Sequence, residues 1–168
     1  PTTKQCSLKT IKSYIVKILN FINGAYVPPI SGAWLDNYAP STGKVYSQIA
    51  DSNAEDVEQA YLAAKEAFSS WSNTPIDRRS QILLRIAELI DKKSVELAIA
   101  ESKDNGKPLS LAQQVDIPRA AANFRFYGNA ITQFASKAHE SQGLKTINFT
   151  LREPLGVVGC ISPWNLPL

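Results

Sequence analysis

Residues 155–161 place the tightest constraint on the fold, because Leu155, Gly156, Val157, Val158, Gly159, Cys160 and Ile161 include no polar side chain. A strand with this composition is buried on both faces, and the usual way to bury both faces is a parallel sheet flanked by helices. Helical patterns precede it, but no crossover helix or partner strand follows before Leu168. It therefore reads as the first strand of a sheet whose other strands lie past the end of the sequence. The chain begins with Pro1 and stops just after Pro163-Trp164-Asn165-Leu166-Pro167, an awkward place for a fold to close, so a fragment is expected.

The 168 residues are 44% hydrophobic, enough for the core of one domain. The 18 Lys and Arg outnumber the 15 Asp and Glu, yet Lys4, Lys9, Lys12 and Lys17 all fall in a leader without acids. The body is thus close to neutral and lacks the clustered basic surface of a nucleic-acid binder. Two distant cysteines, Cys6 and Cys160, and the single histidine His139 indicate neither a disulfide framework nor a zinc site. The apolar stretch Tyr14-Ile15-Val16-Lys17-Ile18-Leu19 is too short to span a bilayer and lacks a secretory cleavage site. A cytoplasmic location, with no membrane partner, is expected.

Local patterns define most elements. Asn23-Gly24 between Phe21-Ile22 and Ala25-Tyr26-Val27 predicts a hairpin with a type I′ turn, and Pro40 to Gly43 predicts a second between 34–38 and 45–50. Ser52-Asn53-Ala54-Glu55 has capping-box spacing ahead of a helix striped by Val57, Ala60, Tyr61, Ala64, Ala67, Phe68 and Trp71. Thr74-Pro75-Ile76-Asp77 opens a second helix, continued through 94–103 and stopped by Asn105-Gly106 with Pro108 beyond. A third, entered near Pro118, should run through Phe124, Ile131 and Phe134. Residues 146–151 alternate with period two and read as a half-exposed strand.

The loop after the apolar strand, Ile161-Ser162-Pro163-Trp164-Asn165-Leu166-Pro167, lies where open α/β sheets present ligands. Two prolines stiffen it, Trp164 offers a flat apolar surface, and Asn165 carries an amide that can donate to a developing negative oxygen. From spacing alone, a proline-stiffened turn with a core tryptophan explains the same residues. Cys160 precedes this loop inside the apolar run and reads as a buried, inert core cysteine. Gly156 and Gly159 do not form a dinucleotide fingerprint.

Arg152-Glu153-Pro154-Leu155-Gly156-Val157-Val158-Gly159, followed by Ile161-Ser162-Pro163-Trp164-Asn165-Leu166-Pro167-Leu168, resembles the NAD(P)-dependent aldehyde dehydrogenases. Phe21-Ile22-Asn23-Gly24, Tyr38-Ala39-Pro40-Ser41-Thr42-Gly43-Lys44-Val45 and Glu101-Ser102-Lys103-Asp104-Asn105-Gly106-Lys107-Pro108 extend the resemblance from about Leu19 to the end. It implies an α/β fold: the amino-terminal part of the aldehyde dehydrogenase fold, truncated, with β-hairpins, three long helices, an oligomerisation strand near 146–151 and the first strand of a Rossmann-like parallel sheet. Residues 1–18 are left as a leader, read as a disordered tail or upstream translation. Residues 19–168 form the amino-terminal portion of the cofactor-binding domain.

The resemblance assigns Asn165 to the family's oxyanion site and Ser162, Pro163 and Trp164 to the wall near the adenosine half of NAD or NADP. The family's nucleophilic cysteine, general-base glutamate and cofactor glycine loop lie downstream of the Pro-Trp-Asn motif, so this chain alone is expected to be inactive. Val115-Asp116-Ile117-Pro118-Arg119 looks like the branch acting on hydroxymuconic and aminomuconic semialdehydes, in which Arg119 would bind the substrate's carboxylate. Without the family, Arg119 reads as a solvated side chain or a surface partner for Asp116.

His139 reads as a surface residue, and Asp91-Lys92-Lys93 and Glu101-Ser102-Lys103-Asp104 as solvated helix faces. The resemblance implies a homo-oligomer acting on a small aldehyde. The alternative is a non-catalytic truncated module that binds intact subunits through the edge of strand 146–151.

Overall fold

The computed structural model describes residues 15–168. The leader lies mostly outside the described residues, but its end does not: β1 (Val16–Ile18) pairs in parallel with β5 (Lys44–Ala50), setting Lys17 beside Gln48. Regular structure is thus present within the stretch read as a leader, at Val16–Ile18. Antiparallel pairing of β4 (Trp34–Ala39) with β5 completes a three-stranded sheet in the order β1-β5-β4. The first hairpin, β2 (Asn20–Ile22) with β3 (Ala25–Val27), turns on Asn23 and Gly24 at φ of 51° and 75°, the left-handed pair that a type I′ turn demands.

Helix α1 (Ala54–Ser72) starts one residue later than the capping-box spacing implied. Asn53 is the N-cap, its side-chain oxygen accepting from the Glu55 and Asp56 amides at 2.9 and 3.2 Å, while Asp56 accepts from the Asn53 amide at 3.0 Å. Asp56 also accepts from the Ile30 amide at 3.0 Å, which ties the chain before β4 to the helix and explains why this carboxylate is buried. Thr74 does not cap α2 (Ile76–Lys92). Its hydroxyl donates back to the Ser70 carbonyl at 3.2 Å and closes α1 instead.

The second helical pattern divides at Lys93 into α2 and α3 (Ser94–Asn105). The third helix starts earlier than Pro118, through α4 (Leu109–Leu111) and a π turn at Ala112–Asp116, and continues as α5 (Ile117–Ala130). A single 3₁₀ turn, Ile131–Gln133, ends it, so Phe134 falls in extended chain beyond the helix. The core lies where α2, α3, the π turn and α5 meet, around Ile90, Ala98, Ala112, Ile117, Ala120 and Ala121. Alanines let the helix axes approach closely, and Gly128 continues this on α5: a Cβ there would sit 3.1 Å from the Leu84 side chain of α2.

Strand β6 (Ala138–Ser141) pairs antiparallel with β7 (Thr146–Phe149), both mostly exposed. His139 is on the exposed face of β6, as expected of a surface residue. The mixed α/β class stands, but residues 155–161 form no strand and are not buried: Leu155 is 97% and Ile161 100% exposed, and Cys160 is exposed rather than a core cysteine. A strand exists only as part of a ladder, and none of the described residues pairs with this segment. Among the described residues, no helix is long and apolar enough to cross a membrane.

Candidate functional site

The carboxyl end of α3 builds a rigid mount for Lys107. Gly106 takes the left-handed conformation, φ 79°, and its amide donates to the Ser102 carbonyl at 3.0 Å. A Cβ at this position would meet the Pro40 ring at 3.1 Å, so the close approach and the backbone angle both call for glycine. The next residue is held on both sides. Its amide donates to Asn105 Oδ1 at 3.0 Å, and its carbonyl accepts from the Ser102 hydroxyl at 2.7 Å.

From this mount the Lys107 ammonium reaches three oxygens. It donates to Glu101 Oε1 at 2.8 Å, to Asp116 Oδ2 at 2.6 Å and to the backbone carbonyl of Asn165 at 3.1 Å. All three side chains are largely buried, with Glu101 only 5% exposed. Burial pulls the Lys107 pKa down, but hydrogen bonds and charge from Asp116 and Glu101 outweigh it, and the net shift is upward from 10.5. The ammonium is therefore a fixed positive charge at neutral pH.

This geometry revises two sequence expectations. Glu101 is not on a solvated face; it follows Leu97 and Ala98 on the buried side of α3. Asp116 pairs with Lys107, and Arg119 makes no ion pair among the described residues. The sequence held a signal for the first: Ala98 and Glu101 are three apart, so helical periodicity puts a carboxylate in the apolar stripe, where it requires a partner. The partner's identity was not legible, because it lies across a glycine turn.

Of the expected site residues, Arg119 and the Asn165 carbonyl meet this cluster or its cleft. A cleft of about 160 Å³ is lined by Glu101, Asp116, Arg119 and Asn123 together with Leu166 and Leu168, so Arg119 and the segment following Asn165 border the same cleft. Ser162, Pro163, Trp164 and Asn165 are exposed, with Trp164 at 85%. A second, apolar cleft of about 570 Å³ lies between β1, β5 and α3 and also reaches Pro167 and Leu168. At its edge the Tyr46 hydroxyl donates to Asp104 Oδ1 at 2.5 Å and accepts from Asn37 at 3.0 Å, clamping the sheet to α3. Burial, reinforced by the Asp104 carboxylate, raises the Tyr46 pKa above 10.0. Among the described residues no group of three or more His, Cys, Asp or Glu is placed to hold a metal.

Residues 26–168 match the aldehyde dehydrogenase family. The chain is 44% identical over 154 residues to 2-aminomuconic semialdehyde dehydrogenase of Bos taurus, covering 92% of this chain and 31% of that protein. The Homo sapiens protein of the same description is 42% identical over 154 residues, with the same coverage. Among solved structures, a P. syringae indole-3-acetaldehyde dehydrogenase variant in complex with NAD+ and IAA superposes with a TM-score of 0.85 at 33% identity, covering 94% of this chain and 32% of that one. The chain thus spans about a third of the length of the curated relatives it matches.

Proposed function

The chain belongs to the aldehyde dehydrogenase family, and from that premise we propose that it is the amino-terminal third of an oxidoreductase subunit. The subunit oxidises an aldehyde of the muconic semialdehyde type to a carboxylic acid with NAD or NADP. The observation that carries this reading is that Arg119 and Leu166, the residue next to Asn165, line one cleft.

A substrate with an aldehyde at one end and a carboxylate at the other suits the pair of Asn165 and Arg119. The Asn165 amide donates to the aldehyde oxygen, and its hydrogen bond strengthens as a nucleophile drives negative charge onto that oxygen. Asn suits the task because it donates without ever giving up its proton. The Arg119 guanidinium, which makes no ion pair among the described residues, can take the carboxylate with two parallel hydrogen bonds and so fix the distance from anchor to reacting carbon.

For the cofactor, the exposed ring faces of Pro163 and Trp164 and the Ser162 hydroxyl fit one wall of a bound nucleotide. Bound NAD or NADP supplies the hydride acceptor. The nucleophile and the water-activating base are contributed by residues outside this chain, which is the reason to expect no turnover from the 168 residues alone. Exposed Ile147 and Phe149 on β7 suit strand pairing with a second copy in a homo-oligomer, and a cytoplasmic location completes the reading. That same exposed edge is what favours the second reading, a non-catalytic module docking on intact subunits.

The test is formation of reduced nicotinamide from a carboxylate-bearing semialdehyde by the complete protein and by the 168-residue chain. Turnover is expected from the first only. Arg119→Ala in the complete protein is expected to raise KM for that semialdehyde by about 10- to 100-fold, the value of a charged hydrogen bond, and to leave KM for simple aldehydes in place. Equal effects on both substrates would remove Arg119 from the site.

A further inference from the structure

We infer that Lys107 is a positioning residue for the reaction: its ammonium, clamped between Glu101 and Asp116, holds the main chain of Asn165 and so aims the Asn165 amide. The inference rests on the oxyanion role proposed for Asn165 above. Among the described residues, the one hydrogen bond that joins residues 151–168 to the rest of the chain runs from Lys107 Nζ, in the turn after α3, to the Asn165 carbonyl. The contact falls on the residue whose side chain must be aimed, three bonds from its Cβ.

The rest of the arrangement supports a rigid anchor over a surface pair. The Lys107 backbone is bonded at both its amide and its carbonyl. Its ammonium spends two of three N–H groups on buried carboxylates from separate elements, α3 and the π turn, leaving the third for the loop. The π turn matters here because its extra residue per turn shifts Asp116 relative to a regular helix, and such turns cluster at functional sites. Ion pairing alone does not require the third contact. A preorganised donor does, since a small misplacement of a catalytic group costs about 10²-fold in rate.

The test is a double-mutant cycle in the complete protein. Lys107→Met leaves two buried carboxylates unmatched, so the companion variant is K107M/E101Q, which removes one cation and one anion. We expect K107M/E101Q to lower kcat by about 10-fold or more with little change in the aldehyde KM, and K107R, which keeps charge and donors, to restore most of it. In an Asn165→Ala background the same pair of changes should lower kcat by no more than about 2-fold, because there is no amide left to aim.

Equal losses in both backgrounds would mean a general packing role and overturn the proposal, as would full activity in K107M/E101Q. If Asn165→Ala alone leaves kcat intact, the oxyanion reading falls and this inference with it, and that result is distinct from the other two.

Discussion

In the complete protein, Asn165→Ala is expected to lower kcat by about 10²- to 10³-fold, the range measured for loss of one preorganised oxyanion donor. KM for the aldehyde moves far less, because the ground-state carbonyl carries little of the charge that the amide stabilises. The substitution is clean in this structure. Lys107 bonds the main-chain carbonyl of residue 165, so the alanine variant keeps the contact that holds its loop. Asn165→Asp should be at least as damaging, since a carboxylate opposes a developing alkoxide. Steady-state kinetics with one aldehyde decide the matter: a kcat within about 2-fold of wild type would end the assignment of this amide to catalysis.

The second large effect concerns stability. Lys107→Met destabilises the fold by about 3–5 kcal/mol, the cost of removing one member of a buried ion group and stranding its partners. Here two carboxylates, Glu101 and Asp116, lose their common cation. Chemical denaturation of wild type, K107M and K107M/E101Q should rank them in the order wild type, double variant, single variant. A single variant as stable as wild type would show that water already screens the cluster.

The pH dependence gives an independent check. Because the folded-state pKa of Lys107 is raised, its contribution is complete below the unfolded value of 10.5 and is lost as pH climbs through the higher folded value. The stability gap between wild type and K107M should therefore hold constant from neutrality up to pH 10.5 and narrow above it. A gap that closes between neutrality and pH 10.5 would contradict the direction of the shift.

How much of this was readable from sequence depends on the range of the interaction. Asn23-Gly24 dictated its turn because left-handed backbone at two adjacent residues is a local demand. The capping signal at 52–56 was present but displaced by one residue, since Ser52, Asn53, Glu55 and Asp56 offer two overlapping registers and only the Ile30 amide, 26 residues away, favours Asp56. Residues 155–161 show the opposite limit. Their composition states that the segment needs two covered faces, but a strand is a property of a pair, and no described residue pairs with it.

By itself, then, the sequence determined the first hairpin turn, the rough helical stretches and the family signature, and the resemblance it carries suggested roles for Asn165, Arg119, Ser162, Pro163 and Trp164. These follow from backbone angles, caps and periodicity within a few residues, or from a motif contiguous in the chain. Only the tertiary structure decided that Lys107 meets Glu101, Asp116 and the Asn165 carbonyl, at sequence separations of 6, 9 and 58. Charge pairing is set by where turns and packed helices bring side chains, and no local propensity encodes which carboxylate a buried lysine will reach.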